Sequence, residues 1–176
     1  MPFRSNQTFY SIWSLCLGPS KRSIYTRSDI NQIDEMLETA RSLDEDQRLV
    51  FNLFIQFAIQ LRQSQYKGTP RPQPPLVKVT AGAGAGKSHM IKATSQWFER
   101  IMNVGTNNDP DCPTVVRCCP TGKAARVIEG LTLHSAFNLS FGNKHSQLGD
   151  KAREDMRKAL CNLALLIIDE VQWCQI

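Results

Sequence analysis

Val79-Thr80-Ala81-Gly82-Ala83-Gly84-Ala85-Gly86-Lys87-Ser88, residues 79–88, is the stretch whose reading decides the fold. A short apolar run (Leu76, Val77, Val79) precedes it, and Met90, Ile91, Trp97, Phe98, Ile101 and Met102 follow at helical spacing. Strand, glycine-rich loop and helix is the setting in which a phosphate-binding loop works. Small residues let successive backbone N–H groups curl around a phosphate, and the helix N-terminus adds partial positive charge. Gly82, Ala83, Gly84, Ala85 and Gly86 would line that cradle. Lys87 would reach the β- and γ-phosphates, and the Ser88 hydroxyl would be a ligand for the Mg²⁺ that accompanies ATP. The stretch fits G-x-x-x-x-G-K-[S/T] with Ala81 in the place of the first glycine. A methyl there costs about 1 kcal/mol if the backbone needs positive φ, and little otherwise. Gly-Ala alternation also occurs in flexible linkers, but Lys-Ser directly after the last glycine decides for the phosphate loop.

Working outward, 176 residues with 41% hydrophobic content suffice for one α/β domain plus extensions. A net charge of +5 and a pI near 9.0 lean towards a polyanionic partner without specifying one. The six cysteines form no C-x-x-C pair and no ligand-like spacing with His89, His134 or His145. Reduced thiols in an intracellular protein are the expectation, in the nucleus or the mitochondrion. No apolar run approaches the roughly 20 residues of a membrane helix.

Residues 1–41 read as a leader and a short helix. Met1 to Arg27 holds no acidic residue, carries Arg4, Lys21, Arg22 and Arg27, and is rich in serine. That composition suits a mitochondrial presequence, a disordered leader or a mis-assigned start alike. Ile30, Ile33, Leu37 and Ala40 suggest an amphipathic helix. Residues 42–176 read as one ATPase domain. Ser42-Leu43-Asp44-Glu45 has the form of an S-x-x-E capping box. The helix behind it places Arg48, Asn52, Gln56 and Gln60 on one polar stripe, with the rest apolar and buried. Residues 64–75, with Pro70, Pro72, Pro74 and Pro75, read as a linker inside the domain.

Further on, Thr114–Cys118 and Ala164–Ile168 are apolar runs that read as buried strands, and Asp150 is placed to cap a helix between them. Strands alternating with helices indicate an α/β fold, a parallel sheet with helices on both faces. Ligands in such sheets sit beyond the carboxyl ends of the strands. The glycine loop, the turn Pro120-Thr121-Gly122-Lys123 and the pair Asp169-Glu170 all fall at such ends. Asp169 has the position of a Mg²⁺-holding acid, and Glu170, pointing the other way in an extended chain, can orient the attacking water. Thr121 and Lys123 are available to a nucleic-acid backbone, although Pro-Thr-Gly is also ordinary turn chemistry.

Taken together, "AGAGAGKSHMI", "CCPTGKAARVIEGLTLHSAF" and "LLIIDEVQW" resemble the first three motifs of superfamily-1 DNA helicases. The nearest group is the petite-integration-frequency type, which includes the helicases of Helitron transposons. The upstream "LDEDQRLVF" is similar to that family's adenine-contacting segment. The resemblance implies a RecA-like P-loop NTPase domain that unwinds DNA 5′ to 3′ with ATP, in repair, recombination or telomere maintenance. It implies that Gln47 reads adenine, that Lys87 and Ser88 hold phosphate and Mg²⁺, and that Asp169 and Glu170 hold Mg²⁺ and activate water. It places Pro120, Thr121, Gly122, Thr132, His134 and Ser135 on single-stranded DNA.

Several positions depart from the family pattern. Ala81 replaces the usual glycine, Ala85 a threonine, Cys119 an alanine and Trp173 a methionine. The family's second RecA-like domain and its arginine finger lie beyond the residues present. An arginine finger contributes about 10³–10⁵ in rate, so this stretch alone is expected to hydrolyse ATP slowly and not to translocate. A non-catalytic module binding ATP and single-stranded DNA is the alternative, and a small-molecule kinase using the same loop is a third.

Overall fold

The computed structural model describes residues 27–103, 111–139 and 149–171. The leader up to residue 26, Cys16, His145, Trp173 and Cys174 lie outside them. The chain divides into two compact units, Met1–Gly105 and Thr106–Ile176.

The first unit is helical: α1 (Arg27–Arg41), α2 (Glu45–Lys67) and α3 (Lys87–Asn103). Helix α3 packs on both others and buries Met90, Ile91, Ala93, Trp97, Phe98, Ile101 and Met102. Facing them are Met36, Leu37 and Ala40 of α1 and Phe51, Ile55, Phe57, Ala58 and Leu61 of α2. Each large apolar side chain buried contributes about 1.5–3 kcal/mol. The Phe57 and Phe98 rings lie 6.2 Å apart. The Trp97 indole N–H donates to the Met36 carbonyl at 3.1 Å, which satisfies the one polar atom of an otherwise apolar group.

Helix α2 begins one box later than Ser42 and Glu45 suggest. The reciprocal pair is Asp44 and Gln47: Asp44 Oδ1 accepts from the Gln47 N–H at 2.8 Å, and Gln47 Oε1 accepts from the Asp44 N–H at 3.2 Å. Ser42 still belongs to the end of α1, because its N–H bonds to the Glu38 carbonyl and its hydroxyl to the Thr39 carbonyl. It cannot also start the next helix. The polar stripe is shifted too: Leu49 and Leu53 are exposed beside Gln56 and Gln60, while Arg48 turns in to bond the carbonyls of Arg41 and Leu43. At the far end α2 runs on to Lys67, so the linker starts later than Ser64. Ser64 is buried, and Gly68 at φ +65 ends the helix in the left-handed conformation.

The strand expected at Leu76–Val79 is absent. No strand pairing engages residues 70–80, and Leu76 is fully exposed. A strand exists only through a ladder, and Pro74-Pro75 withdraw two donors just ahead of this run.

The second unit is built on a parallel sheet of order β2-β1-β3. Its elements are β1 (Val115–Cys119), α4 (Gly122–Val127), β2 (Leu131–Thr132), α5 (Leu133–Phe137), α6 (Asp150–Ala159) and β3 (Leu165–Ile168). The expected runs at 114–118 and 164–168 become β1 and β3, paired from Val115↔Leu165 to Cys118↔Ile168. The third strand is β2, which the sequence did not suggest, paired at Cys118↔Leu131 and Cys119↔Thr132. As the central strand, β1 is buried almost throughout. Asp150 does not cap α6. It is the first helical residue after Gly149, and no side chain of α6 is buried.

Gly130 brings the chain back against β1. A Cβ built there would stand 2.4 Å from the Arg117 carbonyl oxygen, so only glycine lets β2 reach its partner. Gly130→Ala is expected to cost about 1–3 kcal/mol in urea unfolding. Gly149→Ala, where a Cβ meets nothing within 4 Å, is expected to cost less, about 0.5–1 kcal/mol, for the loss of a favoured N-cap residue.

Candidate functional site

In the first unit the loop ahead of α3 has the backbone of an anion cradle. Gly84 and Gly86 lie at φ +78 and +71, conformations that side chains rarely adopt. The loop turns through a bond from the Ala85 N–H to the Gly82 carbonyl, and the Met90 N–H starts α3 on the Gly86 carbonyl at 3.0 Å. Among the described residues, positive φ falls only on other positions, so Ala81, Ala83 and Ala85 sit in the loop without backbone strain. The Ala81 departure therefore carries no conformational cost. Lys87 folds over the loop, its ammonium donating to the carbonyls of Ala81 at 2.9 Å and Gly82 at 2.8 Å. Ser88 is half-buried in the first turn of α3, a turn with no acidic residue, so the positive helix end is not neutralised.

One residue of the first turn of α2 reaches this loop, and one at the end of α1 reaches the helix behind it. The Gln47 amide N–H donates to the Ala85 carbonyl at 2.9 Å while its oxygen stays in the helix cap. Ser42 Oγ lies 2.8 Å from His89 Nε2, in the first turn of α3. The sequence offered no signal for the second contact, since the partners stand 47 positions apart.

In the second unit Asp169 and Glu170 follow β3, with the Asp169 N–H bonded to the Cys118 carbonyl at 3.0 Å. Asp169 Oδ1 accepts the Glu170 N–H at 2.9 Å. Glu170 does not continue an extended strand as expected. It stands at φ +55, so a left-handed turn, and not strand alternation, separates it from Asp169. For a non-glycine residue that conformation costs about 1–2 kcal/mol, of the kind stored at functional sites. Cys119 is fully buried at the end of β1. Burial, then the charges of Asp169 and Glu170, push its thiol up to about 11.

The residues expected on DNA are brought together at the carboxyl ends of β1 and β2. Cys119 pairs with Thr132 in the sheet, and a Cβ on Gly122 would lie 4.0 Å from the Thr132 methyl. Thr121 caps α4 by accepting the Ala124 N–H at 3.3 Å, and Thr132 caps α5 by accepting the Ser135 N–H at 3.1 Å. The Thr132 and Ser135 hydroxyls share a further bond of 2.9 Å. Thr121, Gly122, Lys123 and Ser135 are exposed, and Pro120, Thr132 and His134 are half-buried.

The donors fit Mg²⁺ chemically. In the first unit Ser88 offers a hydroxyl oxygen; in the second, Asp169 keeps one carboxylate oxygen out of the Glu170 bond. Among the described residues no three His, Cys, Asp or Glu side chains form a metal cage. Mg²⁺ needs none, since it takes one or two protein oxygens together with phosphate and water. No helix of the described residues is long and apolar enough to cross a membrane.

The raised Cys119 thiol sets a sign for stability against pH. The folded state holds that proton more tightly than the unfolded chain, so its contribution is complete below pH 9 and lost as pH rises towards 11. Urea titrations across pH 8–11 are expected to show the wild type losing more stability than Cys119→Ala over that window.

No curated protein and no solved structure matched the chain significantly. A family model described as an AAA domain matches residues 69–176. That span takes in the phosphate loop, the whole parallel sheet and the acidic pair, and it covers more than half of the sequence. The chain belongs to the AAA domain family, as a nucleotide-binding P-loop NTPase with a RecA-like α/β fold.

Proposed function

We propose that this chain is the first motor domain of an ATP-dependent DNA helicase of superfamily 1, of the petite-integration-frequency or Helitron type. The observation that carries the reading is the glycine loop at the head of α3, with Gly84 and Gly86 at positive φ and the Lys87 ammonium folded across it. Phosphate oxygens would replace the two carbonyls that Lys87 now holds, and the first-turn N–H groups of α3 would add to their binding. Ser88 and Asp169 would hold Mg²⁺, which when bound offsets phosphate charge. Glu170, held in a left-handed turn directly after Asp169, would be the base that orients the attacking water. Pro120, Thr121, Gly122, Lys123, Thr132, His134 and Ser135 would contact single-stranded DNA, mostly through its phosphates. Movement 5′ to 3′, a role in repair, recombination or telomere maintenance, and a nuclear or mitochondrial setting follow from the helicase resemblance.

Fluorescent-nucleotide titration, paired with steady-state hydrolysis with and without a single-stranded oligonucleotide, tests this. Mg-ATP is expected to bind the wild type, and Lys87→Ala to weaken binding at least ~10-fold. Hydrolysis is expected to be slow, to rise with single-stranded DNA, and to vanish in Glu170→Gln. Binding with no turnover under any condition points to the non-catalytic module instead. Turnover indifferent to DNA points to a small-molecule kinase. A folded protein that ignores millimolar ATP, with or without Lys87, sinks the proposal.

A further inference from the structure

Two cysteines of the second unit meet at one backbone oxygen. The Lys158 carbonyl, in the last turn of α6, accepts the Cys112 S–H at 3.2 Å and the Cys161 N–H at 3.3 Å. Cys112 precedes β1, and Cys161 lies in the turn between α6 and β3. The strands bring the two segments together. Val115 pairs with Leu165, and just ahead of that pair the Thr114 carbonyl takes the N–H groups of Ala164 and Leu165. Paired strands lie ~4.8 Å apart, and a disulfide spans Cα separations of about 4.4–6.8 Å. Segments held at strand spacing on one side and by a shared oxygen on the other are within bridging reach. Neither cysteine is bridged here. An S–H is a weak donor, so the Cys112 bond to Lys158 is given up at small cost. Cys161 is exposed and Cys112 half-buried, whereas Cys118 and Cys119 are fully buried neighbours that leave opposite faces of β1.

We propose that Cys112 and Cys161 are a reversible thiol–disulfide pair, a redox-operated staple across the amino ends of β1 and β3. The oxidant is a small-molecule disulfide of the glutathione class. The exposed Cys161, as thiolate, attacks one sulfur of that disulfide. Its S–S bond breaks, a mixed disulfide forms on Cys161, and one small thiol leaves with the proton that Cys161 gave up. Cys112 then loses its proton and attacks the Cys161 sulfur, and the second small thiol leaves with that proton. Two protein thiols are oxidised, and one small disulfide is reduced to two thiols. The product closes a loop that contains β1, α4, β2, α5 and α6, which restricts the unfolded chain far more than the folded one. It acts where other support is thin: four residue pairs join β1 to β3, and no side chain of α6 is buried. At the other ends of these strands the Asp169 N–H bonds to the Cys118 carbonyl. The staple therefore steadies the strands beneath the acidic pair without touching it. The proposal stands whether or not the chain binds a nucleotide.

The test equilibrates the full chain in buffers of reduced and oxidised glutathione, quenches it by alkylation, and maps unreduced peptides by mass spectrometry. Wild type, Cys112→Ser and Cys161→Ser are compared, folded and in concentrated urea, with the Tm of each before and after oxidation. The expected product is a Cys112–Cys161 cross-link that outcompetes every other pair in the folded protein and opens again in reduced glutathione. In urea it is expected to form at least ~10-fold less readily. Oxidised wild type is expected to melt at least ~5 °C above reduced wild type, a rise that neither serine variant shows. Cys112→Ser is expected to stop at the mixed disulfide on Cys161. Where a serine variant folds poorly, the two redox states of the wild type, which differ in no residue, decide the matter. Both thiols alkylated in every buffer overturn the proposal. So does a cross-link that forms as readily in urea as in the folded chain, and so does one that leaves Tm unchanged or lowers it.

Discussion

Gly86 stands at φ +71 under the Gln47 amide, at the point where the loop becomes α3. Much of the first unit follows from that constraint. Small residues cannot hold themselves in a cradle, so the loop takes its shape from what lies at its two sides. On one side is α3, whose apolar face is buried from Met90 to Met102 and whose first turn therefore cannot drift. On the other is the cap of α2, whose side chain serves the helix and the loop at once. Burial of large side chains supplies the free energy, and a few directed hydrogen bonds decide where the loop sits.

Much of the site was legible before the structure because its signals are local. Gly-x-Gly followed by Lys-Ser and Pro-Thr-Gly ahead of a helix state their backbone within a few residues, and an apolar run ending in Asp-Glu states its strand but not the turn at Glu170. The runs at 114–118 and 164–168 became β1 and β3 almost residue for residue, since a continuous apolar run suits a parallel strand. The helix starts were less legible. Ser42-x-x-Glu45 and Asp44-x-x-Gln47 are overlapping boxes of similar local merit, and only the hold of α1 on Ser42 decides between them.

What stayed hidden is non-local. The run at Leu76–Val79 has the composition of a strand and no pairing, whereas Leu131-Thr132 is two residues long and pairs because Gly130 lets it approach β1. Pairing is a property of the partner as much as of the segment. The bond between Ser42 and His89 spans 47 positions and leaves no periodicity to read. The left-handed turn at Glu170 was invisible for a different reason: glutamate has no preference for that conformation, so the fold imposes it.

The threonines at the carboxyl ends of β1 and β2 show how folding and the proposed nucleic-acid contact coexist. A capping hydroxyl accepts a backbone N–H, which uses a lone pair and leaves its own proton to donate. Thr121 and Thr132 each accept in this way, at Ala124 and Ser135. Phosphate oxygens only accept, so an O–H presented from a cap matches them without undoing the helix behind it. Sequence pattern cannot separate the two uses, because Thr121 can serve both at the same time, and the bonded Thr132 and Ser135 hydroxyls keep one proton between them for the same use. The sheet register decides that they act in one place: Cys119↔Thr132 sets the turn after β1 beside the start of α5, so Thr121 and Thr132 share an edge although eleven positions separate them.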